Sequence, residues 1–187
     1  PRSETLIVEC QSPTDVPGQF NSYMKGTQMG FGIHQLMSAH LWEMDTAKGE
    51  QWGEIADGMP ESNDDFTEWT VKVRQGIKWS DGVPVTANDF AYAWRRLVDP
   101  NTAADYSYMI ANVVNAQDII DGKKDPSELG VEAVDDKTFK VTLSTDLAYF
   151  EELCAFPALM PVREDIIEAN GDQWTYDVDT YVSNGPY

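Results

Sequence analysis

The sequence predicts an α+β or mixed α/β fold, because strand and helix patterns follow one another without regular alternation. Residues 69–74 alternate between apolar and polar side chains as a strand does, and helical spacing follows from Phe90 to Val98. A second alternating stretch, residues 138–145, follows residues 130–134 as the second strand of a hairpin would. The 187 residues are 42% hydrophobic, which is enough for one core or two small ones.

The first elements have the least regular pattern. Residues 5–8 predict a short apolar strand, and residues 11–32 predict an ordered loop because Gly, Pro, Ser, Asn and Gln are frequent there. The apolar spacing of residues 33–42 predicts a helix. Trp42 and Trp52 flank the connection that follows, and we expect them to be more exposed than the tryptophans further along the chain.

The central unit, residues 69–98, reads as a strand, a turn and a capped helix. The Ser-Asp-Gly sequence at residues 80–82 is typical of a tight turn, since Ser and Asp bond nearby backbone and Gly accepts a positive φ. Thr86 has the position of an N-cap, with Asp89 three residues later as in a capping box. The Asp-Pro pair at residues 99–100 ends the helix, because a residue before proline avoids the α region.

Three tryptophans belong to this unit: Trp69, Trp79 and Trp94. We expect all three in the core or at a subdomain interface. The alternative is stacking on sugar rings, which suits an apolar face with an N–H donor.

Further elements are predicted after the central unit. Residues 105–121 predict a helix with an apolar stripe, and the glycine that follows is a plausible C-terminal cap. Residues 135–137 predict the turn of the hairpin. Residues 147–156 and 163–170 predict two short helices, the second ended by a glycine.

The charge balance limits the kinds of partner. The chain carries 13 basic and 32 acidic residues, for a net charge of −19. Nucleic acids and anionic membrane surfaces are bound by clustered Lys and Arg, so neither partner is expected. A solvated, acidic exterior is the favoured interpretation, with an acidic surface that attracts cationic ligands as the alternative.

The sequence lacks an initiator Met and a signal-peptide pattern at its start, which predicts a chain from which any targeting segment has been removed.

Adjacent acidic residues are the main candidates for acid–base catalysis. They occur at residues 64–65, 135–136 and 151–152. We interpret the first two pairs as solvated turn carboxylates, because catalysis needs carboxylates that converge across a pocket from separate elements. The sequence also lacks the Gly-x-Ser-x-Gly elbow and the phosphate-binding loop of nucleotide hydrolases. We therefore expect no catalytic residue, no enzymatic activity and no cofactor.

Histidines and cysteines give no metal motif. His34 and His40 are six residues apart, whereas zinc ligands on one helix face are usually four apart, so no metal site is predicted. Cys10 and Cys154 leave two interpretations open. They could form a disulfide if the fold brings them together, or remain buried free thiols, which is the interpretation we favour.

Several motifs together resemble one family. The run Lys-Trp-Ser-Asp-Gly at residues 78–82 is followed by Pro-Val-Thr, an acidic residue, Phe90 and a Tyr-x-Trp helix. Further runs appear in family order, at residues 99–103, 129–131, 135–138, 141–143 and 184–187. From about residue 32 onward the chain therefore resembles the large extracellular solute-binding proteins, family 5, that supply oligopeptides and dipeptides to ABC transporters.

The resemblance implies a division of the chain. It predicts part of a type II periplasmic-binding-protein fold: residues 1–48 as the N-terminal part of lobe I, residues 49–161 as the small additional domain of the oligopeptide class, and residues 162–187 as the return toward lobe I. In this interpretation the chain ends before the second lobe.

The resemblance also implies the function. It predicts a monomeric, extracytoplasmic protein, in the periplasm or lipid-anchored on the outer face of a Gram-positive membrane, that binds oligopeptides and delivers them to the permease subunits of an ABC importer. Alternatives are another cargo on the same fold, such as an oligosaccharide or a nickel chelate, a secreted acidic carbohydrate-active enzyme, or a pure interaction module.

The candidate ligand-binding residues lie near the N-terminus. The resemblance assigns part of the peptide-binding edge to Gly26, Thr27 and Gln28, in an irregular, Gly-containing segment whose backbone groups could face a ligand. A protein that accepts many sequences must hold the peptide backbone. An ordinary surface loop is the alternative. In relatives the groups that hold peptide termini come mainly from the second lobe, so we expect this chain alone to bind peptides weakly or not at all.

Overall fold

The computed structural model describes residue 21, residues 37–45 and residues 47–185, without the side chain of residue 172. Within them lie six strands, four α-helices and four short 3₁₀ turns. The strands are β1 (Trp42–Asp45), β2 (Glu50–Gly53), β3 (Glu61–Ser62), β4 (Glu68–Lys72), β5 (Val131–Asp135) and β6 (Thr138–Thr142). The α-helices are α1 (Ala87–Val98), α2 (Ala116–Ile120), α3 (Phe150–Leu153) and α4 (Glu164–Asn170). The 3₁₀ turns are Ser107–Ile110, Pro126–Glu128, Pro157–Leu159 and Gly171–Gln173.

The main sheet is antiparallel, with the strand order β3-β4-β6-β5. In its centre Trp69 lies opposite Val141 and Val71 lies opposite Phe139, so the apolar residues of both strands share one face. The hairpin β5–β6 turns where the sequence predicted, and Asp135 Oδ1 accepts a hydrogen bond from the Lys137 N–H at 2.7 Å. The mixed fold class, the strand and the hairpin predicted from the sequence are confirmed.

Helix α1 packs on the apolar face of this sheet and forms the helix–sheet layer with β4 and β6. The Trp94 ring meets the rings of Phe139 and Phe150 edge to face, with centroids 5.1 and 6.0 Å apart. The Trp94 indole N–H donates to the Leu159 carbonyl at 3.1 Å, which satisfies its polar atom inside the core. Trp69 and Trp79 are also buried, so the core role predicted for the three tryptophans is confirmed.

The N-terminal helix prediction is wrong for residues 38–42. Met37 is helical, but Trp42 begins strand β1, which pairs with β2 in a separate two-stranded sheet. The Trp42 side chain is fully buried and its indole N–H donates to the Gly58 carbonyl at 3.0 Å, contrary to the expected exposure. Trp52 is 49% exposed, as predicted. Pairing with β2, across a short connection without a hairpin signature, overrides the helical spacing here.

The long helix predicted for residues 105–121 is also wrong. The segment contains a 3₁₀ turn, an irregular stretch and the short helix α2. The irregular stretch borders the main sheet: the Val114 N–H donates to the Thr142 carbonyl and the Gly130 N–H donates to the Val114 carbonyl, both at 2.9 Å. Asn115 then takes a left-handed conformation with a φ of 67°, which interrupts the helix. Hydrogen bonds to the end of β6 therefore replace the helical hydrogen bonds that the apolar spacing predicts in this stretch.

Of the two short helices predicted near the end of the chain, one is confirmed and the other is shorter than predicted. Helix α4 begins after Arg163 and ends at the predicted glycine, which confirms that element. The helix predicted for residues 147–156 shrinks to α3, and before it the Leu147 N–H donates to the Phe66 carbonyl. The predicted strand at residues 5–8 lies outside the described residues, as does the predicted loop at 11–32 except for residue 21. No helix in the described ranges is long and apolar enough to cross a membrane.

Candidate functional site

The signature turn, residues 78–84, has the geometry that its sequence predicts. Gly82 has a φ of 89°, which favours glycine, and its N–H donates to the Trp79 carbonyl at 2.9 Å. The Asp81 carboxylate accepts from the Val83 N–H at 3.0 Å, and the Trp79 N–H donates to the Val83 carbonyl at 2.8 Å. The turn is therefore closed by its own backbone and by one aspartate.

One carboxylate connects this turn with the start of α1. Asp89 Oδ2 accepts hydrogen bonds from the Thr86 N–H at 2.8 Å and from the Trp79 indole N–H at 3.2 Å. Thr86 is the N-cap of α1, as predicted. Burial raises the pKa of Asp89, while these hydrogen bonds and the nearby Arg163 charge act in the opposite direction. The turn and the helix thus share a half-buried acidic group.

The turn also binds the end of the described chain. The Ser80 N–H donates to the Ser183 carbonyl at 2.7 Å, and the Ser183 N–H donates to the Ser80 hydroxyl at 3.2 Å. The next residues continue toward the N-terminal side: Asn184 Oδ1 accepts from the Ala39 N–H at 3.0 Å, and the Gly185 N–H donates to the Met37 carbonyl at 3.0 Å. Residues 183–185 therefore tie the signature turn to residues 37–39.

Arg163 completes this contact region. Its Nη1 lies 3.0 Å from Asp81 Oδ2, and its Nε and Nη2 donate to the two oxygens of Asp165 at 2.8 and 2.6 Å. The guanidinium carbon lies 6.0 Å from the centroid of the Trp79 ring. The hydrogen bonds to Asp165 raise the pKa of Arg163, and the same contact lowers the pKa of Asp165. We call Ser80, Asp81, Arg163, Asp165 and residues 183–185, with residues 37–39, the polar junction.

The polar junction connects segments and does not resemble a catalytic constellation. One hydrogen bond between its serines joins their backbones and the other uses the Ser80 hydroxyl, and its arginine pairs with two aspartates. The acidic pairs at residues 64–65 and 135–136 are exposed, which confirms their interpretation as solvated carboxylates. What this arrangement can do chemically is hold distant parts of the chain in register.

Two open cavities lie elsewhere in the described part of the chain. One of about 340 Å³ is lined by residues of β5 and β6 and by Leu129 and Gly130. The other, of about 230 Å³, lies between α1 and Pro126, with Tyr92, Arg95 and Arg96 among its lining residues. No tryptophan lines either cavity, so neither offers the stacked indoles that the sugar-binding alternative requires.

The predicted ligand-binding residues cannot be placed in this geometry. Gly26, Thr27 and Gln28 lie outside the described residues, as do Cys10 and His34. Cys154 is buried, and burial raises the pKa of its thiol well above the ordinary value. Its pairing with Cys10 stays open.

Sequence reasoning missed one cluster of ionisable groups. His40 lies beside Glu43 and Glu54, although the sequence predicted no metal-type grouping around either histidine. The spacing between His40 and Glu43 was visible, but Glu54 arrives from the far side of the β1–β2 hairpin. Only a correct prediction of that hairpin would have revealed the group.

The chain matches a known protein family and is similar in sequence to named bacterial proteins. The profile of the family described as "Bacterial extracellular solute-binding proteins, family 5 Middle" matches residues 50–187. The periplasmic oligopeptide-binding protein OppA of Salmonella typhimurium is 50% identical over 127 residues, which cover 67% of this chain and 23% of that protein. A dipeptide-binding protein of Lactococcus lactis is 33% identical over 185 residues, covering 99% of this chain and 33% of that protein.

A solved structure agrees with these matches. The structure of Listeria monocytogenes OppA bound to peptide superimposes with a TM-score of 0.78 at 43% identity, covering 83% of this chain and 30% of that one. The chain thus spans about a quarter to a third of the length of these relatives. Its described residues form part of a type II periplasmic-binding-protein fold, as predicted. The chain belongs to family 5 of the bacterial extracellular solute-binding proteins.

Proposed function

We propose that this chain is part of the substrate-binding component of an ABC importer that binds oligopeptides outside the cytoplasmic membrane. The observation that carries the proposal is the agreement in structure and sequence with a relative whose structure holds a peptide. Two further relatives are named for oligopeptide or dipeptide binding, which supports a peptide as the cargo.

The proposed division of the chain assigns residues 1–48 and 162–187 to lobe I, and residues 49–161 to the small additional domain. The hydrogen bonds that join residues 183–185 to residues 37–39 support a common lobe for the two flanks. The four-stranded sheet and α1 lie wholly between residues 49 and 161, which supports a separate unit there.

The proposed ligand contacts are backbone groups of Gly26, Thr27 and Gln28. An extended peptide held as an added strand is bound through main-chain hydrogen bonds, which are independent of the peptide's sequence.

In the complete protein, two lobes would close around the peptide. Such a hinge motion is driven by a ligand that contacts both lobes, because only differential binding shifts the equilibrium. The closed form would then dock on the permease as a monomer, without catalysis or a cofactor.

Calorimetric titration with short peptides of mixed sequence tests the function. The complete protein encoded by the reading frame from which this chain comes should bind peptides, and the 187-residue chain should bind them weakly or not at all. Tight binding by the chain alone would contradict the two-lobe mechanism, and no binding by the complete protein would contradict the cargo.

A pair of variants tests the proposed edge. Thr27→Pro removes a backbone N–H, whereas Thr27→Ala removes only side-chain atoms. In the complete protein we expect the proline variant to lose peptide affinity and the alanine variant to retain it. Equal affinities for the two variants, with equal melting temperatures, would rule out recognition through the backbone N–H of this residue.

A further inference from the structure

A buried histidine and two glutamates meet at the base of the β1–β2 hairpin. His40 Nδ1 lies 3.8 Å from Glu43 Oε1 and 3.7 Å from Glu54 Oε2. One ligand atom from each residue lies within 4.8 Å of the other two. The three side chains come from the residues before β1, within β1 and after β2, so the hairpin itself brings them together.

The backbone around the cluster is already fixed. The Glu54 N–H donates to the Leu41 carbonyl and the Ile55 N–H donates to the His40 carbonyl, both at 3.0 Å. Glu54 Oε2 also accepts from the His40 backbone N–H at 2.7 Å, which orients this carboxylate toward the imidazole. A site supported by paired strands keeps its ligand atoms in place better than one supported by a loop.

Within the described residues, the imidazole of His40 lacks hydrogen-bond partners. The residue is only 3% exposed, and neither of its ring nitrogens makes a hydrogen bond to the part of the chain that the structure describes. Burying such a polar group without a partner is unfavourable. Nδ1 faces both carboxylates, each of which belongs to a side chain that is 29% exposed. The buried nitrogen thus points to a missing ligand, and the glutamates leave a path for it from solvent.

We propose that His40, Glu43 and Glu54 bind one divalent transition-metal cation of the zinc class. Bonds of about 2.0–2.2 Å to nitrogen and oxygen place neighbouring ligand atoms of a tetrahedral ion roughly 3.4 Å apart. The observed separations of 3.7 and 3.8 Å from the imidazole nitrogen need only a small contraction, and every pair of ligand atoms lies within 4.8 Å. Three protein ligands would leave one position for water.

The ligand set selects among cations. Imidazole suits zinc, copper, iron and nickel, whereas calcium and magnesium prefer oxygen ligands alone. The net charge of −19 raises the local concentration of cations in general but does not discriminate between them. Bound at this position, the cation would cross-link the two ends of the hairpin and stabilise the folded chain by mass action. This site is independent of the proposed peptide binding.

Zinc titration of the full chain tests the site. We expect one zinc ion per chain by calorimetry and by metal analysis after dialysis, together with a rise in melting temperature. The double variant Glu43→Gln/Glu54→Gln should lose at least about 10–100-fold in zinc affinity, the loss that even outer-shell changes cause. Its melting temperature should no longer respond to zinc. If the double variant does not fold, Glu43→Gln alone carries the same comparison.

The matched control is Asp64→Asn/Asp65→Asn, which removes two carboxylates from an exposed turn and makes the same change in charge. This control should bind zinc as the original chain does. The proposal is overturned if the original chain takes up no zinc, if the glutamate variant binds it unchanged, or if magnesium or calcium binds as tightly as zinc.

Discussion

The helix–sheet layer and the polar junction hold the molecule together by different means. In the layer, α1 buries Phe90 and Trp94 against Phe139, and the aromatic rings lie 5.1–5.9 Å apart. In the junction, residues separated by about 80 to 150 positions meet through hydrogen bonds and ion pairs. The layer is thus stabilised by apolar burial, whose contribution is large, whereas the junction supplies register between distant segments at a smaller gain.

The difference bears on function. The signature turn is the part of the sequence that identifies the family most clearly. It contributes Ser80 and Asp81 to the junction and is joined to the layer through Asp89. Its conspicuous residues are occupied by contacts within the protein. We infer that the turn supports the fold and that ligand contacts lie elsewhere.

Removing a layer aromatic should have the largest effect. Trp94→Ala deletes a fully buried indole, so we expect a loss of about 3–5 kcal/mol in the free energy of unfolding. Urea denaturation followed by circular dichroism measures it. Trp52→Ala, at a half-exposed tryptophan, is the matched control and should cost less than about 1 kcal/mol. Equal losses for the two variants would contradict the assignment of the core.

Removing the junction arginine should have a smaller effect. Arg163→Met breaks the contacts with Asp81 and Asp165 around a side chain that is 10% exposed, and we expect a loss of about 1–3 kcal/mol in the free energy of unfolding. Lys123→Met removes the same charge from an exposed pair and should change stability little. If both variants unfold at the same urea concentration, the junction does not contribute as described.

Acid should weaken the junction further by a small amount. The Arg163 guanidinium lowers the pKa of Asp165, so this pair stabilises the fold above the ordinary aspartate pKa of 3.8 and loses that effect as the pH falls through the lower value in the folded state. Asp165→Asn should therefore be less stable than the original chain at neutral pH by about 0.2–0.5 kcal/mol, since solvent screens this exposed carboxylate. The gap should close as the pH falls below 4. A difference in the free energy of unfolding that grows as the pH falls would contradict the predicted direction.

The thiol of Cys154 gives the smallest readout. Because burial raises its pKa, the thiolate that reacts with disulfide reagents is scarce in the folded state. In a Cys10→Ser variant we expect no reaction with Ellman's reagent until urea unfolds the chain. Rapid labelling of the folded variant would show that the Cys154 thiol is accessible and would contradict its burial.

Contacts between neighbours in the sequence are predicted better than contacts between distant residues, for a physical reason. The turn at Gly82, the cap at Thr86 and the alternation around Val71 are fixed by neighbours in the chain. The apolar spacing around Trp42 predicts a helix instead of a strand, because the strand partner follows a connection with no clear hairpin signal. The stretch around Asn115 likewise predicts a helix, because nothing local indicates that Val114 bonds to the main sheet.

The candidate sites follow the same rule. Arg163 meets Asp81 across 82 positions of sequence, a contact that no spacing pattern contains. Glu54 reaches His40 only through the β1–β2 hairpin, so the cluster was invisible to motif analysis. Gly26, Thr27 and Gln28 rest on family resemblance and stay a prediction.

Peptide titration of the complete protein carrying Asp81→Asn tests most directly whether the signature turn supports the fold or contacts the ligand. This change removes the charge that faces Arg163 but keeps an oxygen for the Val83 N–H. If the signature turn serves the fold, the variant should melt at a lower temperature than the original protein and bind peptides with the same affinity. An unchanged melting temperature with a tenfold or greater loss of peptide affinity would place the turn at the ligand and contradict this account.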